Sequence, residues 1–203
     1  AVFYLAGLVC WNYFADCLTK CSDTFNANQQ IFGKVYFPRL IVPFSIVISN
    51  MVKMGIQLVL FLVVYAYYFI VLGTFEINWT IVLFPVLLLM LASLGLGFGL
   101  VISSLTTKYR DLRFLITFGV QLWMYATPVI YPLSVMKQNY PDKIWVIVAN
   151  PLTAIIETFK YGFTGVGVFE WNYLLYSFVM SIAVLLLGII VFNRVQKKFM
   201  DVI

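Results

Sequence analysis

The chain contains no histidine and few charged residues of either sign. Only 10% of its 203 residues are Asp, Glu, Lys or Arg, whereas a typical soluble domain carries about 25%. So few charges cannot cover a surface that faces water, and most of the exterior must therefore face lipid. The absence of histidine also removes the usual general base and the commonest metal ligand at neutral pH.

Cysteine and acidic residues form no recognisable catalytic or metal-binding pattern. The three cysteines fall within one predicted helix, with neither a disulfide framework nor a zinc-ligand spacing: Cys10, Cys17 and Cys21. Carboxylates of the second half are spread over opposite predicted sides of the membrane, so they form no general acid–base pair: Asp111, Asp142, Glu157 and Glu170. We therefore predict no catalytic residue, no metal site and no enzymatic activity for this chain.

Long apolar runs dominate what is present, since 63% of the residues are apolar and 18% are aromatic. A membrane-spanning helix needs roughly 20 predominantly apolar residues. Five runs meet this requirement: Ala1–Ser22, Ser45–Leu72, Trp79–Leu105, Leu112–Tyr131 and Tyr173–Phe192. The sequence therefore predicts an all-α integral membrane protein, a polytopic helix bundle with five spans.

A different pattern fills the connection before the last span. The apolar run Ile144–Ala149 is too short to cross a bilayer, and Asn150-Pro151 breaks it before a second short run, Leu152–Phe163. Two short segments around a proline predict a re-entrant hairpin, which is tolerated at membrane depth when protein or a water cavity surrounds it. An amphipathic surface loop is the alternative.

Lysine and arginine cluster on alternate connections, which the positive-inside rule places in the cytoplasm. These residues are Lys34, Arg39, Lys108, Arg110, Arg113, Arg194, Lys197 and Lys198. The C-terminus is then cytoplasmic and Ala1 lies towards the outside, so we expect one further span upstream and six in the intact protein. The net charge of +5 follows from this topology and does not indicate nucleic-acid binding.

The first span carries a polar face. Its polar residues are spaced as on one side of a helix: Asn12, Asp16, Thr19, Lys20 and Asp23. A charge at mid-bilayer costs about 2.5–3.5 kcal/mol, so this face either lines a hydrated or substrate-filled pathway or packs against other helices. Asp16 and Lys20, one turn apart, can pair along the helix.

A second, weaker polar stripe lies near the cytoplasmic end of the next span, at Asn50, Lys53 and Gln57. For Lys53 we favour a side chain that extends towards the membrane surface. In the third span, Gly95, Gly97 and Gly99 have the spacing of close helix contacts. No Gly-Lys-Ser/Thr follows them, so they form no nucleotide-binding P-loop.

Aromatic residues surround Pro128, which is expected to kink or end the fourth span. Trp123, Tyr125 and Tyr131 have two interpretations: anchors at the membrane interface or an aromatic path for a sugar polymer. Two basic and aromatic cytoplasmic segments, at 34–39 and 108–113, suit the docking of a partner protein.

Four motifs, in this order, resemble the permease subunit of ABC exporters for polysaccharides such as O-antigen, capsule or teichoic acid. They are Lys34-Val-Tyr-Phe-Pro-Arg39, Lys108-Tyr-Arg-Asp111, Tyr125-Ala-Thr-Pro-Val-Ile-Tyr-Pro132 and Asn150-Pro-Leu-Thr-Ala-Ile-Ile-Glu157. The resemblance covers nearly the whole chain. It implies a homodimer of permeases in the bacterial cytoplasmic (inner) membrane, in contact with membrane lipid and with two ATP-binding cassette subunits.

The resemblance also implies a division of labour. ATP and Mg²⁺ are expected on the partner subunits, with no cofactor bound by this chain, and ATP hydrolysis there drives the export of a lipid-linked polysaccharide. The chain is expected to be one transmembrane permease domain, residues 1–203, that lacks an interfacial helix and a first span ahead of Ala1.

The motifs further imply three sets of site residues. The set that couples to the ATPase is Tyr36, Phe37, Pro38, Arg39, Tyr109, Arg110 and Asp111. The set on the translocation pathway, together with the polar face of the first span, is Asn12, Asp16, Lys20, Trp123, Tyr125 and Tyr131. The set in the re-entrant hairpin is Asn150, Pro151, Glu157 and Lys160, where Lys160 stands in place of the arginine expected from the resemblance.

Three other functions compete with polysaccharide export. An ABC permease for a smaller substrate, such as a drug or haem, fits the chemistry of the polar face equally well. A membrane-embedded transferase of lipid-linked sugars would need a carboxylate or metal cluster. A passive channel or secondary transporter needs no ATPase, so a stoichiometric ATPase partner would argue against this class and against the transferase.

Overall fold

The structure, a computed structural model, describes residues 2–28, 38–73, 78–106, 109, 111–139 and 144–200. Over these residues the chain forms helices joined by turns, with no strand. In order, the helices are α1 (Val2–Ser22), α2 (Thr24–Ala27), α3 (Ile41–Leu72), α4 (Phe84–Thr106, after a 3₁₀ turn at Trp79–Leu83), α5 (Leu112–Ala126), α6 (Leu133–Asn139), α7 (Ile144–Val148), α8 (Pro151–Thr164) and α9 (Trp171–Met200).

Four of the described helical segments are long and apolar enough to cross a bilayer: Val2–Ser22, Ile41–Val71, Trp79–Thr106 and Trp171–Gln196. They correspond to four of the five predicted spans, and the fifth is represented by the shorter apolar helix α5. The prediction of an all-α, polytopic membrane protein is confirmed.

Helices α1 and α4 form the centre of the bundle. Helix α1 packs against α3, α4 and α8, and α4 also packs against α9. Side chains such as Phe14 of α1 and Leu94 of α4 are fully buried. In contrast, α3 and α9 present large apolar side chains outward, for example Val63 and Leu175, as expected for surfaces that face lipid.

Glycine determines how closely α4 approaches its neighbours. A Cβ atom added at Gly95 would lie 2.8 Å from the Cβ atom of Cys17 on α1, and Gly99 faces α1 in the same way one turn later. Gly97 faces α9 on the opposite side of α4. A Cβ atom added at Gly188 of α9 would lie 2.5 Å from the carbonyl oxygen of Gly97. The predicted role of these glycines in close helix packing is confirmed.

Helix α5 ends at Ala126, before the predicted limit of its span at Tyr131. The next residue, Thr127, is extended (φ −103°, ψ 141°), because a residue that precedes proline is disfavoured in the helical region. With 15 residues, α5 is about 22 Å long, shorter than the hydrocarbon core of roughly 30 Å. Residues 127–132 form a turn, and α6 begins at Leu133.

Two short helices, α7 and α8, occupy the predicted hairpin and meet at Asn150. The Asn150 side chain accepts a hydrogen bond from the backbone N–H of Leu152 (3.2 Å), and Pro151 occupies the first turn of α8, where its missing N–H has no cost. Most of α8 is buried against α1 and α9. This burial contradicts the alternative of an amphipathic surface loop.

Candidate functional site

The polar face of α1 meets the polar stripe of α3. Lys53 Nζ of α3 lies 2.5 Å from Asp16 Oδ2, and Lys20 Nζ donates to Asn50 Oδ1 at 2.7 Å. Asn50 in turn donates to Cys17 Sγ at 3.6 Å. Asp16 and Lys20, which could pair along α1, instead contact Lys53 and Asn50 of α3. Lys53 combines this ion pair with a side chain that is 53% exposed.

This polar layer is partly open. Asn50 is buried, whereas the side chains of Asp16 and Lys53 keep 29% and 53% of their surface exposed. Pairing opposite charges lowers the cost of placing them between membrane helices. These residues therefore form a packed contact between helices, and part of their polar surface is left uncovered. A role in lining the pathway stays a prediction.

Two open cavities flank the layer. One, of about 220 Å³, has Asn12 and Gln57 as its polar lining residues among apolar side chains of α1 and α3. The other, of about 290 Å³, lies at the far end of α1, next to Thr19, Lys20 and Asp23. The polar face of α1 thus runs from one cavity to the other.

Helix α5 closes one side of the larger cavity. Arg113 Nη2 lies 3.2 Å from Asp23 Oδ2, and Thr117 contributes to the lining. Arg113 is near the start of α5, so this ion pair joins the predicted cytoplasmic ends of α1 and α5. The polar face of α1 therefore contacts α3 along one part and α5 along another.

The predicted coupling residues that the structure describes precede two membrane helices. Pro38 is exposed and Arg39 is buried just before α3, whereas Tyr109 and Asp111 are exposed just before α5. Tyr36, Phe37 and Arg110 lie outside the described residues. The role of the whole set in coupling stays a prediction.

The three aromatic residues predicted for the pathway have different surroundings. The Trp123 ring packs edge-to-face between Phe14 and Phe98, with ring centroids 5.4 and 5.3 Å away. Tyr125 is 66% exposed, and the hydroxyl of Tyr131 donates to the Tyr125 carbonyl oxygen at 3.5 Å. Trp123 is therefore a packing residue of the bundle, and Tyr125 is the outward-facing aromatic side chain.

The predicted hairpin residues converge on the turn that follows α5. Glu157 and Lys160 form an ion pair at 3.4 Å with no exposed side-chain surface on either residue. Lys160 also donates to the carbonyl oxygen of Pro128, and Asn150 donates to Thr127 Oγ1 at 2.8 Å. The partners in the turn were not predicted from the sequence, although the Glu157–Lys160 spacing within an apolar helix indicates a buried pair.

A further ion pair lies at the surface, where Lys137 Nζ of α6 is 3.1 Å from Glu170 Oε1. The hydrogen bond with Glu170 raises the pKa of Lys137. The pair connects α6 with the segment that precedes α9. Within the described residues, no three Asp, Glu, Cys or His side chains lie close enough to hold a metal ion.

A glycine-packed bundle of membrane helices, with charged residues paired between and within helices, defines the class: a polytopic integral membrane protein. The chain belongs to the ABC-2 type transporter family, whose sequence profile matches residues 2–164. The resemblance to polysaccharide-export permeases that the four motifs indicated is confirmed by individual relatives.

Three relatives share one name, O-antigen export system permease protein RfbA. Two from Klebsiella pneumoniae are 25% and 26% identical over 203 residues, which is 100% of this chain and 75% of each relative. The third, from Myxococcus xanthus, is 27% identical over 158 residues, which is 78% of this chain and 58% of the relative. This chain is thus similar along its whole length to permeases of O-antigen export.

Proposed function

We propose that this chain is the membrane-spanning subunit of an ABC exporter that moves a lipid-linked polysaccharide across the bacterial cytoplasmic membrane. The observation that carries the proposal is the similarity over all 203 residues to O-antigen export permeases. The working unit is a homodimer of permeases with two ATP-binding cassette subunits, which hold ATP and Mg²⁺ and hydrolyse the ATP. The C-terminus is cytoplasmic.

Coupling to the ATPase takes place at the segments before α3 and α5. Both segments are basic and aromatic, and each leads directly into a membrane helix through Arg39 or Asp111. Because a helix transmits a displacement along its length, a partner that moves these segments moves α3 and α5. The Arg113–Asp23 ion pair carries the displacement of α5 to α1.

The pathway for the polymer runs along the polar face of α1. Asn12, Asp16 and Lys20 lie on this face, with one open cavity beside Asn12 and another beside Lys20. The hydroxyl and amide groups of this surface can exchange hydrogen bonds with sugar hydroxyls. Helices α7 and α8 form the re-entrant hairpin at the periplasmic end of the pathway.

Co-purification with the ATPase subunit tests the proposed function. The full-length permease is expressed with the ATPase encoded beside it and purified through a tag on the permease alone. We expect a complex of two permeases and two ATPases that hydrolyses ATP, and deletion of the permease should abolish polymer at the cell surface. A stable permease without bound ATPase would instead favour the channel or transferase class, and export of a small molecule without polymer would favour the smaller-substrate permease.

A further inference from the structure

The turn after α5 contains a backbone carbonyl that no helix can satisfy. In a continuing helix, the carbonyl oxygen of Pro128 would accept from the N–H of residue 132, but that residue is Pro132, which has no N–H. Pro128 is buried. A buried carbonyl oxygen without a donor is costly, so a donor must come from elsewhere in the fold.

Lys160 of α8 supplies that donor. Its side chain has no exposed surface, and its Nζ donates to the Pro128 carbonyl oxygen and lies 4.1 Å from the centroid of the Phe3 ring. The lysine stem fits beside Gly7 of α1, where an added Cβ atom would lie 2.8 Å from Lys160 Cε. The ammonium group therefore sits at a junction of α8, α1 and the turn.

Glu157 reaches the other end of the same turn. Its Oε1 is 3.4 Å from Lys160 Nζ, and its Oε2 accepts from the backbone N–H of Val168 at 3.4 Å. The carboxylate also lies near the backbone of Leu133, the first residue of α6. The carboxylate thus connects α8 to the segment that follows α8, and it lies close to the start of α6.

Asn150 makes a third contact with the turn. Its Nδ2 donates to Thr127 Oγ1 at 2.8 Å, while its Oδ1 accepts from Leu152 N at the start of α8. The Thr127 hydroxyl in turn donates to the Trp123 carbonyl oxygen at 2.9 Å. One side chain therefore caps α8 and holds the last turn of α5.

The burial of both charges indicates a role other than stability. Two ions lose their hydration in such a site, and well-packed apolar residues of similar volume are often as stable or more stable. An apolar pair, however, can neither donate to the Pro128 carbonyl oxygen nor accept from the backbone N–H of Val168. What the charged pair adds is the defined position of the backbone on either side of the turn.

We propose that α8 acts as a clamp on residues 127–133, in which Asn150, Glu157 and Lys160 are positioning residues that fix the angle between α5 and α6. If α5 borders the polymer pathway, as the resemblance implies for Trp123 and Tyr125, the clamp sets the geometry of the outer end of that pathway. The inference rests on the proposed function only for this consequence for transport. The positioning itself is a property of the protein alone.

Distance measurements between spin labels test the clamp. The full-length permease in complex with its ATPase carries labels at Leu115, on α5, and at Val135, on α6, after replacement of the native cysteines; both positions are exposed. The Lys160→Met/Glu157→Leu double variant removes the charges together. We expect its distance distribution to broaden or shift, and polymer export to fall several-fold.

Two further variants keep the result decisive. Lys137→Met breaks only the surface pair with Glu170. It should change neither the distance between the labels nor polymer export. Thr127→Val removes the contact with Asn150 but leaves the ion pair in place, and should broaden the distribution to a smaller extent. If the double variant does not assemble with the ATPase, the distance distribution of Thr127→Val alone tests the clamp.

Unchanged distances in every variant that assembles would overturn the clamp. A wild-type complex that exports no polymer, but whose distances respond to the clamp variants, would overturn the proposed function and leave the clamp intact. A loss of export with unchanged distances would show that the residues act on transport by another route than positioning, which also contradicts the proposal.

Discussion

The ion pairs Asp16–Lys53 and Glu157–Lys160 combine the same chemical groups in opposite surroundings. The first joins two helices, α1 and α3, and both of its side chains are partly exposed. The second lies within one helix, α8, and both of its side chains are completely buried. The role of each ion pair in the fold therefore depends on the groups that surround it.

The protein leaves part of the Asp16 and Lys53 side chains uncovered. The buried pair has exchanged water for protein partners, among them the Pro128 carbonyl oxygen and the Val168 N–H. In the first pair, the charges neutralise each other at an accessible surface. In the second, they hold backbone segments that secondary structure leaves without partners.

The largest effect is expected from breaking the buried pair on one side only. Lys160→Met leaves the Glu157 carboxylate buried without its counter-charge, which destabilises a protein by about 3–5 kcal/mol. The unfolding midpoint of the purified complex measures this loss. Adding Glu157→Leu should restore part of the stability, because no lone charge remains, although the Pro128 carbonyl oxygen still lacks its donor. A single variant as stable as the wild type would contradict the importance of the pair.

A smaller effect is expected at the partly exposed pair. Asp16→Asn, Lys53→Gln and the double variant form a thermodynamic cycle whose coupling energy should be about 1 kcal/mol or less, because solvent weakens an accessible ion pair. Unfolding midpoints in detergent provide the three differences. A coupling energy as large as the loss of stability caused by Lys160→Met would contradict this expectation. Exposure would then not determine how much each ion pair contributes to stability.

The smallest effect is expected at the surface pair. Lys137→Met and Glu170→Gln should leave the unfolding midpoint unchanged within error, because both side chains are exposed and gain little from each other in water. The same thermal measurement checks this. A clear destabilisation would mean that the segment between α6 and α9 depends on this contact. The exposed pair would then contribute to stability as the buried pair does.

Sequence patterns predicted the features that depend on local periodicity. Apolar runs placed the long helices, and the spacing of Gly95, Gly97 and Gly99 predicted close packing. The polar face of α1 was also evident from its spacing. These predictions succeeded because the faces of a helix are determined by its own residues.

The features that depend on another helix were not accessible in this way. The partner of Asp16 is Lys53, 37 positions away, and spacing along one helix cannot give the rotation of its neighbour. The contact between Lys160 and Pro128 could not be predicted for the same reason, because it joins α8 to the turn after α5. The sequence does identify the acceptor, because Pro132 leaves the carbonyl oxygen of Pro128 without a helical donor. It does not identify Lys160 as the residue that donates the hydrogen bond.

ATP-dependent movement of polymer tests the central claim most directly. Purified permease–ATPase complex is reconstituted into vesicles with lipid-linked polysaccharide on the side of the ATPase, and a glycan-cleaving enzyme is placed on the opposite side. We predict that ATP exposes the polysaccharide to cleavage and that a non-hydrolysable ATP analogue does not. Polysaccharide that stays protected while the complex hydrolyses ATP would contradict the assignment of this chain as a polysaccharide export permease.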